Sequence, residues 1–241
     1  MPLSYPALFY DGAGFFCPLT LRDQKGRVFS KTIENPRHVA QFLMPTIQQL
    51  CAEANIPFQN IRTIFTTQGP GSFTGIRIGL AAAQGFSSDT MQAYAINRLD
   101  FYGRFAMDSG QHDQGLMLID GGKNAYFSAY YAKNSAPVYA LLPYDDLVSY
   151  AQQIHAQYMC GGTTGVSSLP VFILAETTQA ETVIATSSIT VTRIKWDPII
   201  CWQMIAAQAP ASAAQWQKNL TIPFYLKPPD VTRKPQAALV S

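Results

Sequence analysis

The chain has 241 residues, of which 48% are hydrophobic and only 13% are charged, and its formal net charge is +2. This length and hydrophobic share are enough for one large domain or two small ones. The basic residues are too sparse to form the strong patch that is typical of a nucleic-acid binder. No stretch approaches the ~20 apolar residues of a membrane span, and the first residues lack the features of a signal peptide, which predicts a cytoplasmic protein without membrane contact.

The low charged fraction leaves two explanations open. Either a partner covers part of the surface, or the surface is an ordinary one that is rich in Gln, Ser and Thr.

The first predicted elements are three short strands at residues 7–10, 15–21 and 27–31, which form a meander. A helix follows at residues 36–54, with Asn35 as its N-cap and Pro36 at its first position. Pro45 lies inside this helix and predicts a kink. The apolar spacing predicts one buried stripe, made of Val39, Phe42, Leu43, Ile47, Leu50, Cys51 and Ala54.

The rest of the chain repeats this order of strands followed by helices. Strands are predicted at residues 61–65, 94–96, 116–119, 126–131, 137–141 and 171–175, and helices at 74–87, 98–107, 143–157 and 197–208. Two such runs predict an α/β fold of two related lobes. We place the first lobe at residues 1–100 and a smaller second lobe at 101–208, and we expect the tail, 209–241, to return to the first lobe.

A glycine-rich turn lies between a predicted strand and a predicted helix. Gly69 and Gly71 permit backbone angles that other residues avoid, and Pro70 stiffens the turn. Ser72 or Thr74 can cap the helix, and free backbone N–H groups at a helix start can bind an anion.

The full string at residues 67–80, TQGPGSFTGIRIGL, resembles the signature of the TsaB (YeaZ) family, in which G-P-G-S-F-T-G-x-R-x-G opens a helix. Shorter matches accompany it. Arg37-His38 with Leu43-Met44-Pro45 resembles the family's first helix, Leu118-Ile119-Asp120 followed by Tyr126 resembles a family strand, and Pro223-Phe224-Tyr225-Leu226-Lys227 resembles the closing P-x-Y-L-R.

The resemblance implies an actin-like ATPase (ASKHA, ribonuclease H-like) fold of two α/β lobes, the second reduced. It also implies a non-catalytic subunit that pairs with the related catalytic subunit TsaD, is joined by the small ATPase TsaE, and supports threonylcarbamoyl transfer to adenosine 37 of tRNA. Contact with tRNA is expected to be only indirect. No cofactor is expected. Weak ATP or ADP binding at the complex interface and a homodimer of the lone chain are left open.

Asp11 and Asp120 each end a predicted strand before glycines. Aspartates at such positions of actin-like ATPases hold phosphate or metal-bound water, so Asp11, Gly69, Gly71, Ser72 and Asp120 are the candidate residues of a degenerate nucleotide site. The alternative is that both aspartates only form turns. Ala13, where the family carries a hydroxyl, and Gly121-Gly122, where it carries Ala-Arg, depart from the pattern and argue against a retained site.

Relatives of the TsaD type carry H-x-x-x-H, and two histidines at i and i+4 can bind one metal ion. Arg98 and Tyr102 stand at the matching positions here. The three histidines, His38, His112 and His155, have no ligand spacing, and the four cysteines include no C-x-x-C pair. We therefore predict no metal site, no catalytic residue and a pseudo-enzyme subunit, with Cys17, Cys51, Cys160 and Cys201 as reduced core residues.

Two other functions are kept as alternatives, a glycoprotease-like hydrolase and a divergent ATPase or kinase of the actin fold. Ser72 is not a nucleophile elbow, because Pro70 and Thr74 stand where that motif needs glycines. A kinase needs an acidic base and two phosphate loops, and only one loop is well formed here.

Gly75, Gly79 and Ala83 recur every four residues and place small side chains on one helix face. Either this face packs against the chain's own sheet, or it meets a partner helix together with the first helix. The predicted partner interface comprises Arg37, His38, Gly75, Arg77, Gly79 and Ala83, with Arg77 on a different face of its helix from the small residues.

Overall fold

The structure, a computed structural model, describes residues 3–110, 112–121, 124–132, 135–158, 171–174, 191–194, 196–207 and 222–226. Within these ranges the strands form two sheets. The first contains β1 (Ala7–Tyr10), β2 (Cys17–Arg22), β3 (Val28–Ile33), β4 (Thr63–Thr67) and β5 (Gln92–Ile96). The second contains β6 (Gln114–Asp120), β7 (Ala125–Ala132), β8 (Val138–Pro143), β9 (Val171–Leu174) and β10 (Val191–Ile194).

The two sheets have one topology. Their strand orders are β3-β2-β1-β4-β5 and β8-β7-β6-β9-β10. In each, the first three strands form an antiparallel meander, and the last two extend it in parallel from the first strand. This repetition confirms the predicted α/β fold of two related lobes. Strand β10 was not predicted, although Val191 and Thr192 are β-branched residues of the kind that strands favour.

The helices are α1 (Val39–Ala54), α2 (Phe73–Phe86), α3 (Arg98–Gly110), α4 (Leu147–Tyr158) and a segment at residues 198–207, here called α5. Since α3 begins directly after β5 and runs into β6 of the second sheet, residue 100 lies inside a helix that joins the two sheets.

The first helix begins three residues later than predicted. Residues Pro36–His38 form a 3-10 turn, and α1 follows with His38 at its N-cap and no capping side chain. Asn35 does act as a cap, but on the 3-10 turn, because its Oδ1 accepts the backbone N–H of Arg37 at 3.0 Å. Pro45 lies within α1 as predicted.

Every residue of the predicted buried stripe of α1 is buried except Phe42. Val39, Leu43 and Ile47 are buried, whereas the side chain of Phe42 is 40% exposed and its ring lies 5.6 Å from that of His38. Apolar spacing marks which residues can face the core, but the width of the covered stripe depends on how deeply the helix sits on the sheet. Phe42 lies just beyond that width.

Side chains of β1 alternate between two cores, as the pleat of a strand requires. Leu8 and Tyr10 face a core that is covered by α1 and α2. Ala7 and Phe9 face a second core, where α3 and α5 lie between the two sheets and Trp202 donates its Nε1–H to Thr20 Oγ1 at 3.0 Å. A third core fills the far face of the second sheet under α4.

Part of the C-terminal tail lies within the described residues. The backbone N–H of Phe224 donates to the carbonyl of Gln68 at 2.8 Å, so residues 222–226 lie against the glycine-rich turn of the first lobe. The rest of the predicted returning tail, at 209–221 and 227–241, lies outside the described residues, as do Cys160, Gly122 and the side chain of His155. Cys17, Cys51 and Cys201 are free thiols in the core, as predicted.

No helix in the described part of the chain combines the length and the apolar character that crossing a bilayer requires.

Candidate functional site at the head of the first sheet

The carboxyl ends of β1 and β4 meet the start of α3 at a buried carboxylate, Asp11. Its Oδ1 accepts the hydroxyl of Thr67 at 2.6 Å and the backbone N–H of Ala13 at 3.0 Å. Its Oδ2 accepts Nε–H of Arg98 at 2.7 Å and the hydroxyl of Tyr102 at 3.4 Å. We call these four side chains, Asp11, Thr67, Arg98 and Tyr102, the Asp11 cluster. Asp11 is 0% exposed and Arg98 only 2%, so the pair is an internal salt bridge.

Arg98 and Tyr102 stand one helical turn apart on α3 and both point at Asp11. The backbone N–H of Arg98 also donates to the carbonyl of Gly69 at 2.7 Å, which joins the start of α3 to the glycine-rich turn. Arg98 and Tyr102 are the two residues that match the histidine pair of TsaD-type relatives. A metal ion does not fit between these side chains, because the Arg98 guanidinium already contacts the carboxylate oxygen that would bind it.

Metal ligands are also missing elsewhere in the described ranges. There, no three His, Cys, Asp or Glu side chains come together as a group that could hold a metal ion. Burial raises the pKa of the Cys17 thiol well above its ordinary range, and the charge of Asp11 adds to this effect. Cys17 therefore stays a protonated core residue and is not a nucleophile.

Close backbone packing explains the glycines of the turn. A Cβ on Gly71 would collide with the carbonyl of Ala13, and a Cβ on Gly75 would collide with that of Gly12. Gly69 has φ of +103°, and a Cβ there would lie 2.6 Å from the carbonyl oxygen of Phe224. The turn is thus enclosed between the β1–β2 connection and the tail.

Ser72 caps α2, as predicted. Its Oγ accepts the backbone N–H of Gly75 at 3.2 Å. Its own backbone N–H donates to the carbonyl of Ala13 at 2.7 Å. Two of the N–H groups at this helix start, which the sequence suggested for an anion, are therefore used within the chain.

Asp120 occupies the corresponding position of the second sheet, at the end of β6. It is 3% exposed and accepts the hydroxyl of Tyr144 at 2.7 Å. Burial, with the added charge of Asp120, raises the pKa of Tyr126 to about 12. Both strand-end aspartates are therefore held inside the protein by neighbouring side chains, and the nucleotide site built on them stays a prediction.

The small residues of α2 face the chain's own sheet. Gly75 and Ala83 are buried, and the carbonyl of Gly79 accepts the hydroxyl of Tyr10 at 2.8 Å. A Cβ on Gly79 would lie 3.0 Å from Thr66 Oγ1. These three residues pack within the chain, which favours the alternative that this face of α2 lies on the chain's own sheet, and a partner interface through them stays a prediction.

The other three predicted interface residues are exposed. Arg37 and His38 lie in the turn before α1. Arg77 is at the surface of α2, where its Nε donates to the hydroxyl of Tyr225 at 3.3 Å and its guanidinium lies 4.1 Å from the ring centre of Phe73. Arg77 therefore helps to hold the tail against α2.

A partly buried carboxylate that the sequence did not predict lies between the two sheets. Asp100, on α3, accepts the hydroxyls of Tyr131 (2.9 Å) on β7 and Tyr139 (2.8 Å) on β8. Gly103 leaves room for the Tyr131 ring beside α3. No signal in the sequence marks this group, because its members are 31 and 39 residues apart.

Replacing Asp100 by Asn should change how stability depends on pH. Burial raises the pKa of Asp100, while the hydroxyls of Tyr139 and Tyr131 oppose that effect. The native state then binds more protons than the unfolded state, so the free energy of unfolding falls as the pH rises from about 4 through the raised pKa. Denaturant unfolding at a series of pH values should show this fall in the unmodified chain and lose it in Asp100→Asn.

Asp89→Asn is the matched control, since Asp89 is exposed. An Asp100→Asn chain that keeps the same pH slope as the unmodified protein would contradict the assignment.

Known proteins match both the topology and the sequence. A Pseudomonas aeruginosa protein described as similar to the peptidase YEAZ superposes with a TM-score of 0.63 at 18% identity, over 92% of this chain and 99% of its own. An inorganic polyphosphate/ATP-glucomannokinase from Arthrobacter sp. strain KM superposes with a TM-score of 0.50 at 13% identity, over 85% and 100%. Together with the repeated strand order, these likenesses define an actin-like ATPase (ASKHA) fold.

The family model for TsaD, tRNA N6-adenosine threonylcarbamoyltransferase, matches residues 30–159, which is more than half of the chain. The TsaB protein of tRNA threonylcarbamoyladenosine biosynthesis from Buchnera aphidicola subsp. Baizongia pistaciae is 34% identical over 80 residues, 33% of this chain and 36% of its own. The chain belongs to this family, in its TsaB (YeaZ) branch. Its matches span only 22–37% of the length of the curated relatives.

Proposed function

We propose that this chain is a non-catalytic scaffold and activating subunit that pairs with a TsaD-like catalytic subunit. The TsaB-named relatives and the TsaD family model support a role in tRNA threonylcarbamoyladenosine formation. In this proposal the partner transfers the threonylcarbamoyl group to adenosine 37 of tRNA, and a TsaE-like ATPase joins the pair. The present chain reaches tRNA only through its partner, in the cytoplasm.

The observation that carries the proposal is an almost uncharged surface on α1 and α2. The 16 residues of α1 include one charged side chain, Glu53, and the 14 residues of α2 include one, Arg77. Both are engaged within the chain, Glu53 with Lys31 at 2.6 Å and Arg77 with Tyr225. Surface helices of a lone protein usually carry a charged outer face, whereas the centre of an interface is depleted of charge.

We call this surface the α1–α2 face. The two helices contact each other on one side of the first sheet. The exposed residues of the face are Ala40, Gln41, Phe42, Pro45, Gln48, Gln49, Ala52 and Glu53 on α1, and Thr74, Arg77, Ala81, Gln84 and Gly85 on α2. A partner helix pair can lie along it, with Phe42 as the large apolar anchor. The same face can meet a second copy of the chain when the partner is absent.

The Asp11 cluster supports the non-catalytic part of the proposal. A catalytic carboxylate needs a lone pair that is free for a metal ion or a proton. The two oxygens of Asp11 accept four hydrogen bonds from within the chain, which is about the full capacity of a carboxylate. We therefore propose that the chain alone holds no catalytic nucleotide, and that any weak ATP or ADP binding requires the partner.

Omitting the chain from a reconstituted reaction tests the proposal. Purified TsaC-, TsaD- and TsaE-like proteins, ATP, threonine, bicarbonate and tRNA should form the modified nucleoside only when this chain is present. The proposed role would be contradicted if mass spectrometry measured the same amount of modified nucleoside with and without the chain.

A further inference from the structure

A pocket lies between the β2–β3 hairpin and the start of α5. Its volume is about 380 Å³, which is within the range of sites that bind small molecules. Its apolar walls come from Val28 of the hairpin and from Pro198, Ile199 and Trp202 of the helix. Because α5 and α1 pack on opposite sides of the first sheet, this pocket is separate from the α1–α2 face.

The charged side chain of the pocket is Arg22, at the end of β2. Its Nη1–H donates to the hydroxyl of Tyr5 at 3.2 Å, and its guanidinium carbon lies 5.0 Å from the centre of the Tyr5 ring. The Tyr5 ring in turn packs edge-on against Trp202, with ring centres 6.3 Å apart, and Trp202 is anchored to Thr20. Gly26 adds no side chain on the Nη2 side, where a Cβ would lie 3.9 Å from that nitrogen. The guanidinium is thus held in place beside the open part of the pocket.

Within the described residues, Arg22 has no acidic partner, in contrast to two other cations of the same hairpin. Arg27 is paired with Asp23 at 2.6 Å, and Lys31 is paired with Glu53 at 2.6 Å. Arg22 is nevertheless half-buried, whereas the side chain of Arg27 is 59% exposed. A guanidinium carries five N–H donors, and only one of those of Arg22 is used in a hydrogen bond within the described part of the chain. A positioned cation with spare donors beside apolar walls fits an anion that also has an apolar part.

We propose that this pocket binds a small carboxylic acid with an apolar body, of about the size of phenylpropionate. The carboxylate accepts hydrogen bonds from the free N–H groups of Arg22, and the apolar body packs against Trp202 and Ile199. Ile199 is 59% exposed, so a bound ligand removes apolar surface from water. One guanidinium matches one carboxylate, whereas a phosphate dianion needs a second cation, which the lining of this pocket does not supply. The inference goes beyond the proposed tRNA role and does not depend on it.

The same chemistry occurs in a free acid and at the carboxyl terminus of a peptide that ends in an apolar residue. An acetylated tripeptide that ends in phenylalanine presents the same terminal group as phenylpropionate. Binding of this tripeptide at least as tight as that of the free acid would identify a chain terminus as the occupant. Binding of the free acid alone would identify a small molecule.

An NMR titration of the full chain with phenylpropionate tests the proposal. The indole N–H signal of Trp202, assigned by its loss in Trp202→Phe, should shift saturably with a Kd at or below about 1 mM. The neutral analogue phenylpropanamide has nearly the same shape but forms no charge-assisted hydrogen bond, so it should bind at least about 10-fold more weakly. Arg22→Gln should lose this preference for the acid. Arg62→Gln is the matched control, since Arg62 is exposed at the same end of the sheet but does not line this pocket.

A second variant tests the shape of the pocket at unchanged charge. Val28→Phe adds a ring to the wall of the pocket and should abolish the saturable shift. The proposal is overturned if phenylpropionate gives no saturable shift up to about 10 mM, if the amide binds as tightly as the acid, or if Arg22→Gln or Val28→Phe keeps full affinity. The comparison of acid and amide uses the unmodified chain, so it decides the matter even where a variant does not fold. None of these readouts depends on product formation, so a failure of the proposed tRNA role would leave them unaffected.

Discussion

Phe42→Asp should weaken the association of this chain with its TsaD-like partner by at least about 30-fold in Kd. Phe42 is 40% exposed and is the largest exposed apolar side chain on the α1–α2 face, whose only charged side chains are Glu53 and Arg77. Docking a partner helix over that position would bury the new carboxylate without a cation, and such burial is strongly unfavourable. Because the residue lies in the first turn of α1, an aspartate there is compatible with the helix itself. Isothermal titration of the two purified subunits measures the effect.

Ile199→Asp provides the control for a charge placed on an exposed apolar residue. Ile199 is 59% exposed on α5, which lies on the opposite side of the first sheet from α1 and α2. Its variant should bind the partner as tightly as the unmodified chain does. The interface would lie elsewhere if Phe42→Asp bound the partner with unchanged affinity. The same conclusion would follow if Ile199→Asp lost as much affinity as Phe42→Asp.

Gly75→Ala should destabilise the chain by about 3 kcal/mol, at the upper end of ordinary overpacking costs. The added methyl group would collide with the backbone carbonyl of Gly12, and backbone atoms yield less than the end of a flexible side chain. Relief would require α2 to move away from the β1–β2 connection, and this would disturb the Ser72 cap and the neighbouring Asp11. Urea unfolding compares the free energies.

Gly85→Ala is the matched control on the same helix. A Cβ at Gly85 meets no atom within 4 Å, so the change should stabilise the chain by roughly 0.5–1 kcal/mol through helix propensity. If Gly75→Ala and Gly85→Ala change the free energy of unfolding by the same amount, close packing does not explain why position 75 is a glycine.

Local patterns in the sequence predicted most of the fold. Alternation and apolar spacing located β1, the meander and α1, and the cap at Ser72 located the start of α2 within one residue. The errors arise where tertiary packing decides. Periodicity placed Phe42 on the core side of α1, because spacing alone cannot tell how far the sheet covers a helix.

The candidate site was only partly predictable, because its residues are far apart in the chain. Asp11 and Arg98 were each singled out, but for different reasons, and their ion pair joins residues 87 positions apart. The repeat of Gly75, Gly79 and Ala83 was recognised, yet the same pattern suits a partner helix and the chain's own sheet. Only the three-dimensional structure decides between these, since small residues permit any close approach.

The most direct test of the central claim is the rate of threonylcarbamoyladenosine formation as this chain is titrated into a fixed amount of TsaD-like and TsaE-like subunits. A non-catalytic partner subunit predicts that the rate rises from near zero and saturates when the chain equals the TsaD-like subunit. An Asp120→Asn chain, which keeps an acceptor for the Tyr144 hydroxyl, should give the same curve. A rate that does not depend on the chain would contradict this account, and so would one that saturates at a small fraction of the partner's concentration.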